Sequence, residues 1–145
     1  MRRFRRSVSR GFTLLEILAV LTILAILAAV AVPAVYNQLT KGKVKASRVL
    51  MSGIQSSLNA FQLDCGFYPS TEQGLDALVN APTTGQTCKN YDTSGYYSKK
   101  KLPDDPFGKP FIYKSPGVAN PNSFDLYSSG PDRIEGNEDD IKSWE

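Results

Sequence analysis

From Ile17 to Thr40 the chain runs 24 residues without Asp, Glu, Lys or Arg, and this stretch limits the possible folds more than any other feature. A helix that spans a bilayer needs about 20 mostly apolar residues. Leu18, Val20, Leu21, Ile23, Leu24, Ile26, Leu27, Val30 and Val32 spread apolar surface around every face of such a helix instead of along one stripe, which suits lipid better than a single core. Arg2, Arg3, Arg5, Arg6 and Arg10 precede the run, and nothing basic follows it until Lys41. The positive-inside rule then places Met1 in the cytoplasm and the rest of the chain beyond the span on the exported side. A secretory signal peptide has the same order of charge and apolar residues, but its apolar core is shorter and ends at small residues. Ala28 to Ala31 keep that alternative open. Pro33 lies within the run and favours a kink, because it cannot donate to the carbonyl four residues earlier.

The rest of the chain sets narrower limits. A length of 145 residues is one domain's worth, and the complete lack of histidine removes His-based triads, the usual zinc sites and most general-base chemistry near neutral pH. The formal charge of +3 depends on the arginines before the span; residues 12–145 alone carry 12 basic and 14 acidic side chains. An isolated carboxylate, Glu16, borders the apolar run, where burial in lipid is costly for a charged group. It either marks the interfacial end of the helix or has a partner.

Beyond Lys41 the pattern becomes one-sided. Val44, Met51, Ile54, Leu58 and Phe61 recur at helical spacing, with Arg48, Gln55, Asn59 and Gln62 on the other side. Phe12 to about Leu63 therefore reads as one rod, roughly 75 to 80 Å long at 1.5 Å per residue. Lys41, Lys43, Lys45 and Arg48 follow the span on its exported side and are either a solvated face or an anionic-lipid site.

After Phe61 the chain is rich in Gly, Pro, Asn and Tyr. A short helix is predicted over Ser70 to Leu78, where Ser70 and Gln73 have capping-box spacing. Strands are predicted at Pro110 to Lys114 and Ser123 to Tyr127, with Phe124 and Leu126 turned toward the apolar stripe of the helix. The expected fold class is α+β, a long N-terminal helix packed on a small antiparallel sheet. Cys65 and Cys88 form an even pair on the oxidising side of the membrane, far from any CxxC pattern, which reads as a disulfide. Residues 121–145 hold seven carboxylates, at Asp125, Asp132, Glu135, Glu138, Asp139, Asp140 and Glu145. Asp132 with Asp139 and Asp140 brackets a glycine-containing loop that is either solvated or folded round a Ca²⁺ ion, without EF-hand spacing.

Several segments resemble known families. Arg10-Gly11-Phe12-Thr13-Leu14-Leu15-Glu16 before an apolar run is similar to the class III signal of type IV prepilins and pseudopilins. That resemblance implies cleavage between Gly11 and Phe12 by a prepilin peptidase that also methylates the new terminus. Residues 1–11 would then be a cytoplasmic leader, 12–40 a transmembrane and assembly helix, and 41–145 a periplasmic domain. It also implies that Glu16 pairs with the α-amino group of a neighbouring subunit's Phe12, and that the helix loosens near Pro33 in a filament.

Ser70 to Leu78, Asp105 to Tyr113, and Tyr127 to Asp132 through Asp139-Asp140-Ile141 look like successive segments of the major pseudopilin of type II secretion systems, within the type IV pilin-like superfamily. The resemblance implies a pilin-like fold ending in an ion-binding loop. It also implies Ca²⁺ bound by Asp132, Asp139 and Asp140, with backbone carbonyls near Ser129 and Pro131. Phe107, Lys109 and Arg133 depart from the family pattern, and Arg133 stands where glycine would relax the backbone.

The function so implied is structural: a subunit of a periplasmic filament, single-pass in the bacterial inner membrane before assembly, that helps export folded proteins across the outer membrane. Its implied partners are further copies of itself, other pseudopilins, the inner-membrane assembly platform and the prepilin peptidase. Catalysis and nucleic-acid binding are not expected. A surface pilin is the alternative within the same class. Outside it stand a nucleic-acid patch at Tyr96, Tyr97 and Lys99 to Lys101, and a carboxylate pair at Asp104-Asp105 serving a hydrolase.

Overall fold

The computed structural model describes residues 11–145. The arginine-rich part of the expected leader lies outside the described residues, which include only its last residue, Gly11. The chain divides into two compact units, one ending at Leu39 and one running from Thr40 to Glu145. One helix, α1 (Leu14–Cys65), contributes to both and continues through Pro33.

In the first unit α1 is exposed on every side. Leu15, Leu21, Leu27, Val30 and Val35 are all solvent-accessible, and the helix is long and apolar enough to cross a membrane by length and composition. Thr13 starts it: its Oγ1 accepts from the Glu16 amide at 3.2 Å. This satisfies one of the helix's orphan N–H groups.

In the second unit α1 buries a single line of side chains, Ser47, Met51, Ile54, Ser57, Leu58 and Phe61. Three strands complete the fold, β1 (Ile112–Lys114), β2 (Asp125–Ser128) and β3 (Ile141–Lys142). They form an antiparallel sheet in the order β1-β2-β3, with Tyr113 opposite Leu126 and Ser128 opposite Ile141. Phe111, Tyr113, Phe124, Leu126 and Ile141 join Met51, Ile54, Leu58 and Phe61 of α1 in one core. Each fully buried side chain of this size contributes about 1.5 to 3 kcal/mol.

The structure differs from the sequence-based expectations in three places. The predicted helix Ser70 to Leu78 is a turn followed by a 3₁₀ helix, Leu75–Leu78. Its capping box does form, since Gln73 N donates to Ser70 Oγ at 3.2 Å and Ser70 N to Gln73 Oε1 at 3.0 Å. Gly74, at φ 62°, leaves the α region immediately afterwards and ends the α geometry. The predicted strands are shorter at their starts, because Pro110 has no N–H for a ladder and Ser123 N donates to Asn120 O in a turn. β3 was not anticipated; two residues beside an acidic loop carry no alternation to read.

Candidate functional site

Three groups of residues carry the functional expectations. The first is the start of α1. Gly11 and Phe12 precede the helix in irregular backbone, and Phe12 is 80% exposed, so the peptide bond between them is reachable. Glu16 lies in the first helical turn, where the macrodipole favours a carboxylate. Thr13 and Glu16 have the spacing of a capping box. That T-x-x-E signal was readable in the sequence and marks where the helix begins, two residues after the expected cut.

The second is the Cys65–Cys88 disulfide, which the structure forms, with Cα atoms 4.9 Å apart. It ties the C-terminal end of α1 to the long loop that follows the 3₁₀ helix. The rings of Tyr91 and Tyr96 pack edge-on against Phe61 nearby. Tyr96 is therefore occupied in the core rather than available as a stacking platform, whereas Lys99, Lys100 and Lys101 are exposed. Closing a loop of this size contributes roughly 3 kcal/mol in the chain-entropy model.

The third is the acidic loop between β2 and β3. Gly130, at φ 64°, packs so closely on the Asp139 carbonyl that any Cβ there would overlap it, and this contact closes the two ends of the loop on each other. Asp132 accepts from the Ile134 amide at 2.9 Å and from Asn137 Nδ2 at 2.6 Å. Asp140 Oδ2 accepts from the Gly136 amide at 2.9 Å, while its Oδ1 is buried without a hydrogen-bond partner. Asp139 is exposed, Ser129 is buried and Pro131 is half-buried. Among the described residues no three His, Cys, Asp or Glu side chains converge as a metal cluster, so the loop does not bring the carboxylates of Asp132, Asp139 and Asp140 together. The donor chemistry nonetheless suits a hard cation, because a buried, unpartnered carboxylate oxygen beside a loop of backbone carbonyls is what such an ion neutralises. Arg133 takes φ 63°, the left-handed conformation that glycine adopts more readily.

Two buried carboxylates outside this loop hold the frame. Asp105 Oδ1 accepts from Ser47 Oγ of α1 at 2.5 Å, and its Oδ2 accepts from the Phe107 amide at 3.2 Å. Asp105 is thus a structural latch, while Asp104 beside it is exposed. Asp125 accepts from the Ala119 amide at 2.7 Å and the Asn120 amide at 3.0 Å. Burial raises its pKa, but the donated bonds from Ala119, Asn120 and Val118 outweigh it and hold the carboxyl below its ordinary value. Sequence reasoning missed both roles, since Ser47 lies 58 positions from Asp105 and the amides that reach Asp125 are presented by an irregular turn with no pattern to read. Glu135 bridges the loop to the sheet, accepting from Tyr127 Oη and from Lys114 Nζ, which keeps its carboxyl below the usual range.

The family described as "Type II secretion system (T2SS), protein G" matches residues 34–144, and the "Prokaryotic N-terminal methylation motif" matches residues 6–32. The chain belongs to the type II secretion system protein G family. It is 44% identical to the type II secretion system core protein G of Pseudomonas aeruginosa over 93% of this chain and 94% of that one. It is 39% identical to the core protein G of Escherichia coli K12 over 93% and 90%, and 37% identical to that of Vibrio cholerae over 92% and 90%. The fold is similar to the crystal structure of the major pseudopilin from the type 2 secretion system of enterohaemorrhagic Escherichia coli. That match has a TM-score of 0.67 at 35% identity and covers 75% of this chain and 92% of the other.

Proposed function

We propose that this chain is the main structural subunit of a periplasmic pseudopilus, held in the inner membrane as a single-pass protein until it assembles with copies of itself. The observation that carries the reading is the first unit of α1, where a row of large apolar side chains is exposed behind Phe12 and Glu16. Lipid covers such a surface before assembly, and the helices of neighbouring subunits cover it afterwards. The prepilin peptidase removes residues 1–11 and methylates Phe12. Glu16 then neutralises the α-amino group of an adjacent subunit's Phe12 inside an apolar bundle, where either charge alone is costly. Other pseudopilins and the inner-membrane assembly platform are the further partners, and folded proteins crossing the outer membrane are the cargo.

We also propose a structural Ca²⁺ in the C-terminal loop, held by Asp132, Asp139, Asp140 and the carbonyls of Ser129 and Pro131. The ion supplies positive charge to a loop rich in carboxylates; the chain supplies oxygen donors and the Gly130 closure that keeps the two loop ends together.

Intact mass after co-expression with a prepilin peptidase should show a product beginning at Phe12 with one added methyl group. Glu16→Gln should be processed and inserted like the wild type yet lose the ladder of crosslinked oligomers. A product beginning near Val32, or wild-type ladders from Glu16→Gln, would overturn the reading.

A further inference from the structure

Between Glu16 and Asp64 the chain has no carboxylate, and its only charges there are Lys41, Lys43, Lys45 and Arg48. At helical spacing Lys41, Lys45 and Arg48 fall within an arc of about 60°, on a side of α1 away from the buried line that begins at Ser47. All three are exposed. Lys43 is turned elsewhere, with its Nζ 5.5 Å from the centre of the Phe107 ring. The ion pairs among the described residues join Lys114 to Glu135 and Lys142 to Glu145, so no side-chain carboxylate among them neutralises the strip. Arg48 gives one N–H to the Glu145 carbonyl at 3.3 Å and keeps the rest of its fork of donors for other partners.

The position of the strip identifies its partner. Lys41 is the first charged residue after the uncharged run, and Lys41 to Arg48 rise about 10 Å along the helix axis. The polar headgroup layer on each side of a bilayer is roughly 5 to 8 Å deep, and lysine and arginine side chains extend along the helix to reach it.

We infer that Lys41, Lys45 and Arg48 form a docking strip for the phosphate headgroups of anionic phospholipids in the leaflet where α1 leaves the membrane. The inference rests on the membrane-anchored reading above. The strip fixes the depth of the unassembled helix and orients its exposed face toward the bilayer surface.

The test uses the full-length protein in detergent with equal amounts of phosphatidylglycerol and phosphatidylcholine, read by native mass spectrometry. The wild type should retain phosphatidylglycerol preferentially. Each of Lys41→Gln, Lys45→Gln and Arg48→Gln should lower that preference by up to about fivefold at low salt, and the triple variant should show none. A control replacing Lys99, Lys100 and Lys101 with Gln should behave like the wild type, and millimolar inorganic phosphate should not displace the lipid. Equal preference in wild type and triple variant, equal loss in the control, or displacement by free phosphate would each overturn the strip. Alkaline carbonate extraction of membranes separates the two readings: a protein released by carbonate refutes the anchor itself, whereas one that stays embedded without a lipid preference refutes only the strip.

Discussion

At the scale of single residues, the buried carboxylates Asp105, Asp125 and Asp140 are used in different ways. Asp105 has one oxygen filled by Ser47, 58 positions away, and the other by the nearby Phe107 amide, and Asp125 is filled by amides of the turn just before it, whereas Asp140 keeps one oxygen buried and unpartnered. Asp125 yields a prediction with a definite sign. Its folded pKa is depressed, so its contribution to stability is fully present above the ordinary aspartate range and fades as pH falls through the folded value. Asp125→Asn places an amide donor against the N–H groups of Ala119 and Asn120 and should cost about 1 to 3 kcal/mol at pH 7. Urea unfolding of wild type and variant should show that gap shrinking as the pH is lowered below about 4. A gap that stays constant down to pH 2 would mean the cost is steric, not ionic.

At the scale of elements, what the sequence revealed depended on how periodic the signal was. The long apolar run and the line from Met51 to Phe61 repeat over many turns, and both appear in α1 as expected. Ser47 shares the buried line but reads as a polar interruption, because its partner Asp105 is 58 positions away. β3 is too short to carry a pattern. The Ser70-Gln73 capping box was legible, yet the helix it announced was cut short by the positive φ of Gly74. In the candidate ion loop the residue types were legible and their convergence was not, since loop conformation depends on closures such as Gly130 on Asp139. Arg133 is the one non-glycine residue at positive φ among the described residues. A left-handed L-residue costs about 1 to 2 kcal/mol, and glycine's extra freedom in the unfolded chain returns part of that. Arg133→Gly should therefore raise the unfolding free energy by a few tenths to about 1 kcal/mol, with Arg133→Val lowering it. A melting series in which both variants fall equally would show that the guanidinium's contacts outweigh its backbone.

At the scale of the whole molecule, the unit from Thr40 to Glu145 folds around a small core stapled at one end by Cys65–Cys88. The loop between β2 and β3 has no covalent staple. Its closure depends on one glycine contact and a few hydrogen bonds. A cation that binds only the folded loop stabilises the protein by RT ln(1 + [Ca²⁺]/Kd), about 2.7 kcal/mol at 100 times Kd. For a domain of this size that corresponds to a melting shift on the order of 10 °C. Chelating Ca²⁺ from the full-length protein in detergent should lower its melting temperature by about that amount, and Mg²⁺ should restore little of it, because it demands a tighter octahedral shell. Asp140→Asn keeps an acceptor for the Gly136 amide but removes the buried charge. It should melt at nearly the same temperature with and without Ca²⁺, and no lower than the calcium-free wild type. Calorimetry that finds no Ca²⁺ binding to the wild type, or a chelator that leaves its melting unchanged, would leave the loop held by its own hydrogen bonds and refute the ion.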